Sequence, residues 1–124
     1  MKKEIEIRFD KDIEKEYDLL KKTVEDEEKE NKKKTFNMKL LDSIDRALDN
    51  IKRDFHYGRH VQKEYLTKEA IQKYGTDKVW IVNLFDYWRL IYTLIGNDVK
   101  IVGLVLDYMD HNQYNKLFKD FKKK

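Results

Sequence analysis

Residues 78–108, KVWIVNLFDYWRLIYTLIGNDVKIVGLVLDY, decide the fold. They contain three runs rich in β-branched and aromatic residues, a composition typical of strands. The runs are 78–85, 87–95 and 99–108. Gly-Asn-Asp at 96–98 is a turn signal between the second and third runs, and the first two meet at Asp86 with almost no loop. The stretch therefore predicts an antiparallel meander.

The segment before the meander predicts one strand and two helices. Ile5, Ile7 and Phe9 alternate with polar residues, which is the pattern of a half-buried strand. Asp10 and Thr35 are residue types that cap helices. The highly charged residues 25–34 between the two predicted helices are interpreted as a solvated helix end and turn, with a charged interaction arm as the alternative. Each helix has an apolar stripe at spacings of three and four. The stripes are Ile13, Tyr17, Leu20 and Val24, then Leu40, Leu41, Ile44, Ala47, Leu48, Ile51 and Phe55.

Shorter elements flank the meander, and nothing divides the chain. Gly58 ends or closely follows the second helix, and Thr67 and Gly75 bracket a short helix or helical turn. A C-terminal helix is predicted from four apolar residues: Tyr114, Leu117, Phe118 and Phe121. We expect a single domain over 1–124, a two-layer α+β fold in which an N-terminal strand and a helical hairpin pack on an antiparallel sheet. The predicted order is β-α-α-β-β-β plus a short C-terminal helix.

The composition excludes several classes of function. The chain has 124 residues, 27 Lys+Arg, 24 Asp+Glu and no cysteine, so disulfides and thiolate metal sites are excluded. No window approaches eighteen apolar residues and the start is too charged for a signal peptide, which predicts a cytoplasmic protein with no membrane partner. No glycine-rich phosphate loop or nucleophile elbow is found. Gly58 breaks the helix between His56 and His60, so we predict no metal and no cofactor.

Arg89 is the first candidate functional residue. In the strand YWRLIYTLI, the more uniformly apolar set of alternate side chains is expected to face the helices: Trp88, Leu90, Tyr92 and Leu94. Arg89 would then lie on the open face of the sheet beside Tyr87, where a planar guanidinium is suited to bind a phosphate. The alternative is that Arg89 pairs with a nearby carboxylate, Asp86 or Asp107, and packs its stem on aromatic rings.

His111 and Tyr114 form a second candidate pair. They are three residues apart and share one face of the predicted C-terminal helix, where an imidazole and a phenol could transfer a proton. The alternative is a purely structural segment, in which Asp110 caps the helix and Tyr114 packs onto the sheet.

The segment 50–78 is the regionally basic part of the chain. It has seven basic residues against four acidic ones, and histidines and tyrosines are interleaved with them. Basic residues combined with stacking aromatics are typical of RNA-binding surfaces. The predicted RNA-binding residues are Arg59, Lys63, Lys68, Lys78 and Tyr87.

Residues 83–118 resemble the C-terminal half of the RelE/ParE superfamily of type II toxins. The similarity lies in the Trp-Arg-Leu-Ile-Tyr strand, the Gly-Asn-Asp hairpin, the apolar third strand and the Asp-His-Asn-Gln-Tyr ending. The resemblance implies a ribosome-dependent mRNA endoribonuclease that inhibits translation by metal-independent attack of an RNA 2′-hydroxyl on the adjacent phosphate. It also implies a cognate antitoxin as a protein partner, in addition to mRNA and the ribosome.

The resemblance assigns roles to three residues as catalytic groups. Arg89 would hold the scissile phosphate, Tyr114 would stack on a base or help to move the proton, and His111 matches a position where some members have a catalytic histidine. Two carboxylates, Asp107 and Asp110, replace arginines that many members carry and predict weaker phosphate binding. Lysines that many members carry on the preceding strand are also missing. A non-catalytic binding protein on the same scaffold is the alternative: a ParE-like inhibitor, or an inactive toxin that pairs with an antitoxin-like partner.

Overall fold

The computed structural model describes residues 4–97 and 99–119. The strands are β1 (Glu4–Phe9), β2 (Arg59–Val61), β3 (Val79–Asn83), β4 (Arg89–Gly96) and β5 (Lys100–Met109). The helices are α1 (Lys11–Lys29), α2 (Phe36–Arg53), α3 (Lys68–Tyr74) and α4 (His111–Leu117), with 3-10 turns at Lys63–Tyr65 and Phe85–Tyr87. The predicted α+β class and order of the main elements are confirmed. Asp98 of the predicted turn and Phe121 of the predicted C-terminal stripe lie outside the described residues.

The helices begin where the sequence places capping residues. The side chains of Asp10, Thr35, Thr67 and Asp110 each accept a hydrogen bond from a backbone N–H in the first turn of the following helix. Gly75 ends α3 in the left-handed conformation, with a φ of 69°. The predicted caps at Asp10, Thr35 and Thr67 and the predicted stop at Gly75 are therefore confirmed, as is the capping role that the alternative gave to Asp110.

The sheet is mixed, whereas the sequence predicted an antiparallel one. Its strands lie in the order β1-β5-β4-β3-β2, and β1 pairs with β5 in parallel, with Phe9 opposite Val105. The other pairs are antiparallel. Strand β2 was not predicted, because three residues are too few to show a periodic pattern. The predicted strand at 87–95 begins two residues later, at Arg89, because residues 85–87 form a 3-10 turn.

Apolar clusters cover both faces of the sheet. Leu90 and Tyr92 face the hairpin of α1 and α2, as predicted, and pack with Ile44 and Ile51. The opposite face is not open, because α3, α4 and the turn at 63–65 cover it. This second cluster contains Val61, Leu66, Ala70, Val79, Ile81, Ile91, Leu106, Met109, Tyr114 and Phe118. Burial of a side chain such as Ile91 contributes about 1.5–3 kcal/mol, which explains why the connector and the C-terminal segment fold over this face.

Glu6 on β1 gives the fold a pH dependence at low pH. Its carboxylate binds Arg8 and, across the strand pair, Lys100 at 2.6 Å. The hydrogen bonds from Arg8 and Lys100 lower the pKa of Glu6 from 4.5 to about 2. Because the pKa is lowered on folding, the stabilisation is complete above pH 4.5 and is lost as the pH falls through about 2.

We expect an NMR titration of the Glu6 carboxyl group to give a midpoint near 2. Replacement of Arg8 by leucine is expected to raise this midpoint more than replacement of Lys100 by methionine, because Arg8 makes the larger contribution. A wild-type midpoint of Glu6 at the ordinary value of 4.5 would contradict the prediction.

Candidate functional site

The candidate site lies at the end of the sheet where β3 and β5 finish and β4 begins. Arg89, the first residue of β4, pairs with Asn83 on one side and with Met109 on the other. Helix α4 begins at His111, two residues after Met109. The antiparallel pairing therefore brings the strand arginine to the start of the C-terminal helix, as the candidate site requires.

The guanidinium of Arg89 is half-buried and packs on an aromatic ring. Its Cζ atom lies 5.0 Å from the centre of the Tyr114 ring, within the range of a cation–π interaction. Nη1 donates hydrogen bonds to the carbonyl oxygens of Tyr87 at 2.7 Å and Trp88 at 3.4 Å. Nε is buried and makes no hydrogen bond within the described part of the chain. The cation is thus held in place, while part of its hydrogen-bonding capacity is unused.

The nearby carboxylates are bound to other groups. Asp107 is buried, accepts a hydrogen bond from the Tyr74 hydroxyl at 3.0 Å and pairs with Lys73 Nζ at 3.2 Å. Asp110 accepts the backbone N–H of Gln113. Among residues 4–97 and 99–119, no carboxylate forms an ion pair with Arg89. The alternative that pairs Arg89 with Asp86 or Asp107 is therefore wrong, and Asp107 is charge-compensated by Lys73.

Tyr74 is a donor to Asp107 and does not ionise near neutral pH. Burial and the adjacent Asp107 carboxylate raise the pKa of the Tyr74 hydroxyl well above its usual value. The bond therefore links α3 to β5 from below pH 7 to well above it. This contact fixes the position of β5 two residues before Met109, the partner of Arg89.

Tyr114 is buried beneath Arg89. Only 4% of its surface is exposed, and its ring stacks on Phe118 with the ring centres 4.6 Å apart. A ring with so little exposed surface is not available to stack on a base, so that predicted role does not fit this geometry. Packing of Tyr114 onto the sheet, the structural alternative, is observed, and the ring also supports the guanidinium.

His111 is the more accessible of the two C-terminal candidates. It is half-buried at the first position of α4, and its ring lies edge-on to that of Tyr87 with 6.3 Å between the centres. The Asn115 amide nitrogen lies 3.1 Å from Nε2 of His111. The imidazole is therefore oriented by its own helix and borders the exposed surface formed by Tyr87.

Tyr87 is presented to solvent by an unusual turn. Asp86 and Tyr87 have φ angles of 57° and 64°, so two successive non-glycine residues adopt left-handed conformations. Such conformations cost about 1–2 kcal/mol per residue and are concentrated at functional sites. The turn aims the Tyr87 carbonyl at Arg89 and leaves 71% of the Tyr87 surface exposed. Sequence reasoning identified Tyr87 but could not show this backbone, since a tyrosine gives no signal for positive φ.

No family model, curated protein or solved structure matches this chain. The similarity to RelE/ParE toxins consequently remains a prediction from residues 83–118. Within the described residues, no group of three or more potential ligands could hold a metal ion. None of the described helices is both long enough and apolar enough to cross a membrane.

The predicted RNA-binding residues are not all gathered around Arg89. Tyr87 adjoins it, and Arg59 begins β2 at a position paired with Ile81, towards the same end of the sheet. Lys78 precedes β3 at the opposite end, about 17 Å along the strand. Lys63 is also at that end, where it pairs with Asp77 at 3.5 Å, and Lys68 is the first residue of α3. The structure therefore separates Lys63 and Lys78 from the Arg89 site.

A cleft beside β3 was not predicted as part of the site. It consists of two adjoining cavities of about 320 and 300 Å³ that share Tyr57, Val82 and Asn83. Sequence reasoning noted Tyr57 only as one aromatic residue in a basic segment. Asn83 gave no signal, because a single asparagine at the end of a strand is common. We refer to this feature as the Tyr57–Asn83 cleft.

Proposed function

We propose that this chain is a RelE/ParE-type toxin that cleaves mRNA on the ribosome without a metal ion. The observation that carries the proposal is the Arg89 guanidinium, which is held by Tyr114 and two backbone carbonyls but is not neutralised by any carboxylate of the described residues. A half-buried guanidinium of this kind, whose charge is not compensated by a carboxylate of the described residues, is suited to bind a phosphodiester. The function places the protein in the cytoplasm, where its mRNA and ribosome partners are.

The proposed reaction uses only groups of the RNA and of this chain. His111 takes the proton of the 2′-hydroxyl, whose oxygen attacks the adjacent phosphorus. The bond from phosphorus to the 5′-oxygen breaks, and that oxygen receives the proton from the His111 imidazolium. The products are a 2′,3′-cyclic phosphate and a 5′-hydroxyl. Arg89 stabilises the additional negative charge that develops on the phosphoryl oxygens in the transition state.

Tyr114 is a positioning residue in this scheme. Its buried ring holds the guanidinium by a cation–π contact, whereas Tyr87 is exposed and is free to stack on a base next to the scissile phosphate. These assignments differ from the expectation that Tyr114 itself stacks on the RNA.

The proposal is tested by incubating the purified protein with ribosomes that carry a defined mRNA. We expect cuts at fixed positions within codons and a cyclic phosphate on the upstream fragment, in the presence of a chelator. Expression of the chain is also expected to arrest growth. Intact mRNA together with normal growth would overturn the proposal.

Replacement of Tyr87 by glycine is expected to raise the stability of the fold and to lower the ribonuclease activity. Tyr87→Gly removes the strain of a positive φ and should raise the free energy of unfolding by about 0.5–1 kcal/mol. The same substitution removes the exposed ring and should slow mRNA cleavage about tenfold, because stacking on one base contributes about 1–3 kcal/mol.

Tyr57→Gly is a matched control for stability, because Tyr57 is also an exposed loop tyrosine but is not among the described residues with positive φ. It should lower the free energy of unfolding by about 0.5–1 kcal/mol. Urea denaturation measures both variants. Equal destabilisation by the two substitutions would show that the Tyr87 backbone is not strained.

A second candidate function is binding of an antitoxin-like protein without catalysis. It is favoured by an apolar groove of about 380 Å³ between α1, α2 and the start of β4. Leu19 and Phe36 in this groove are 65% and 42% exposed. The centre of the Trp88 ring lies 5.9 Å from that of Phe36 and 6.2 Å from that of Tyr108. In the toxin proposal this groove binds the cognate antitoxin. A chain that binds such a partner but leaves mRNA intact would establish the non-catalytic function.

A further inference from the structure

The Tyr57–Asn83 cleft opens at the same end of the sheet as Arg89. Asn83 is the direct antiparallel partner of Arg89, and the Cα atoms of such pairs are about 5 Å apart. One cavity extends towards α2 and is lined in part by Ser43, Arg46 and Asn50. The other extends towards the start of β2 and is lined in part by Arg59. The cleft opens on the α2 side of the sheet and the guanidinium lies on the α4 side, so an RNA strand with a phosphate at Arg89 would reach the cleft by crossing this end of the sheet.

The charge of the cleft differs from that of the other large depressions. The residues that line its two cavities include two arginines and no aspartate or glutamate. Two other clefts, around Lys73, are lined in part by Glu16 and Asp107. In a chain that is one-fifth acidic, a depression free of carboxylates favours a ligand that is neutral or anionic. Arg46 pairs with Asp42 at 3.1 Å, so the positive charge of the cleft is modest.

The groups in the cleft are those that recognise a nucleobase. Tyr57 is 48% exposed and offers a ring face, and the side-chain amides of Asn50 and Asn83 offer both donors and acceptors. Bases that are not paired are recognised by this combination of aromatic stacking and hydrogen bonds to the base edge. A single nucleobase would therefore use both parts of the lining: its flat face would contact the apolar part, and its edge would bind the polar part.

The loop that carries Tyr57 is fixed before any ligand binds. The hydroxyl of the buried Tyr92 donates a hydrogen bond to the Phe55 carbonyl at 3.0 Å and accepts one from the Gly58 N–H at 2.9 Å. Tyr57 itself donates its backbone N–H to the Asp54 carbonyl. The two bonds to Tyr92 bracket Tyr57 on both sides, so little conformational entropy is lost when its ring stacks on a ligand.

We propose that the Tyr57–Asn83 cleft is a subsite for one unpaired nucleobase of the RNA that lies across Arg89. Tyr57 stacks on the base, and the amides of Asn50 and Asn83 bind its edge. The inference rests on the proposed function and deepens it, because it names the place where the chain contacts a specific nucleotide.

The subsite is tested by NMR with isotopically labelled wild-type protein. The probes are AMP, GMP, CMP and UMP, and ribose 5-phosphate is the control that lacks a base. We expect at least one nucleotide to shift the backbone signals of residues 57 and 83, whereas ribose 5-phosphate leaves them unchanged. Tyr57→Ala is expected to weaken that binding about tenfold. Leu19 is an exposed apolar residue in the groove between α1 and α2, and Leu19→Ala should not change the affinity for the nucleotide.

The outcomes of this experiment distinguish failure of the subsite proposal from failure of the ribonuclease proposal. Equal shifts with ribose 5-phosphate, or equal affinity in Tyr57→Ala, would overturn the subsite even if mRNA is cleaved. Nucleotide binding at the cleft in a protein that leaves mRNA intact would support the subsite and overturn the nuclease.

Discussion

Replacement of Arg89 by alanine is expected to slow mRNA cleavage by about 10²–10³-fold, the usual cost of removing a group that stabilises transition-state charge. The reason is local: the guanidinium donates to the Tyr87 carbonyl, and no second cation among the described residues does so. Lysine at this position should restore little activity. A single ammonium cannot reproduce the planar fork that bridges the backbone carbonyls and a phosphate.

Arg53→Ala is the matched control for this substitution, because Arg53 is an exposed arginine at the last position of α2. Cleavage rates on programmed ribosomes should be equal for this variant and the wild type. Urea denaturation of Arg89→Ala verifies that the fold is retained. Full activity of a folded Arg89→Ala protein would remove the central residue from the mechanism and with it the ribonuclease proposal.

Replacement of Gly58 by alanine is expected to lower the free energy of unfolding by about 1–3 kcal/mol, the typical cost of overpacking. A Cβ atom at this position would lie 2.7 Å from Cε1 of Tyr92 and 3.0 Å from the carbonyl oxygen of Ile81. Neither of these two groups can move away easily to make room for the Cβ atom. Tyr92 is completely buried in the cluster beneath α2, and the Ile81 carbonyl belongs to the backbone of β3.

Gly103→Ala is the control for the Gly58 substitution. Its Cβ would meet the ends of Ile7 and Ile51 at 3.3 and 3.4 Å, and these side chains can shift by a few tenths of an ångström. We expect a change of less than about 1 kcal/mol in that variant. Equilibrium urea denaturation compares the two. Equal stability of both variants would show that the loop at 54–58 is not held tightly against Tyr92, and the fixed position of Tyr57 would no longer be supported.

The sequence predicted the parts of the fold that depend on local patterns. The apolar stripes located α1 and α2, and the residues Asp10, Thr35 and Thr67 located the starts of three helices. Pairing between distant segments has no such local signature. For this reason the parallel contact of β1 with β5 and the short strand β2 emerged only from the structure.

The covered second face of the sheet is another feature that local sequence patterns could not predict. Alternation along β4 correctly placed Leu90 and Tyr92 against the hairpin, but it could not reveal what lies on the other side. Leu66 and Phe118 form an isolated bridge there, which joins the connector to the C-terminal segment. Neither residue carries a motif that predicts this contact.

The candidate site was predicted in part. Arg89, His111 and Tyr114 do converge, since Tyr114 lies under the guanidinium and His111 lies beside Tyr87. The effect of Asp107 on the charge near Arg89 was wrongly predicted, because Asp107 pairs with Lys73 on α3 and nothing in the sequence indicated this contact. Lys63 and Lys78, which were predicted to bind RNA together with Arg89, lie at the other end of the sheet. The sequence alone does not show at which end of a sheet a residue will lie.

The parallel pairing of β1 with β5 has a consequence for folding during translation. Phe9 can meet Val105 only after the chain has been synthesised as far as residue 105, and contacts so distant in sequence form slowly because a long loop must close first. The platform beneath Arg89 also needs α4, the last described helix. In the ribonuclease proposal, a nascent chain that has not yet reached β5 and α4 therefore lacks the assembled Arg89 site.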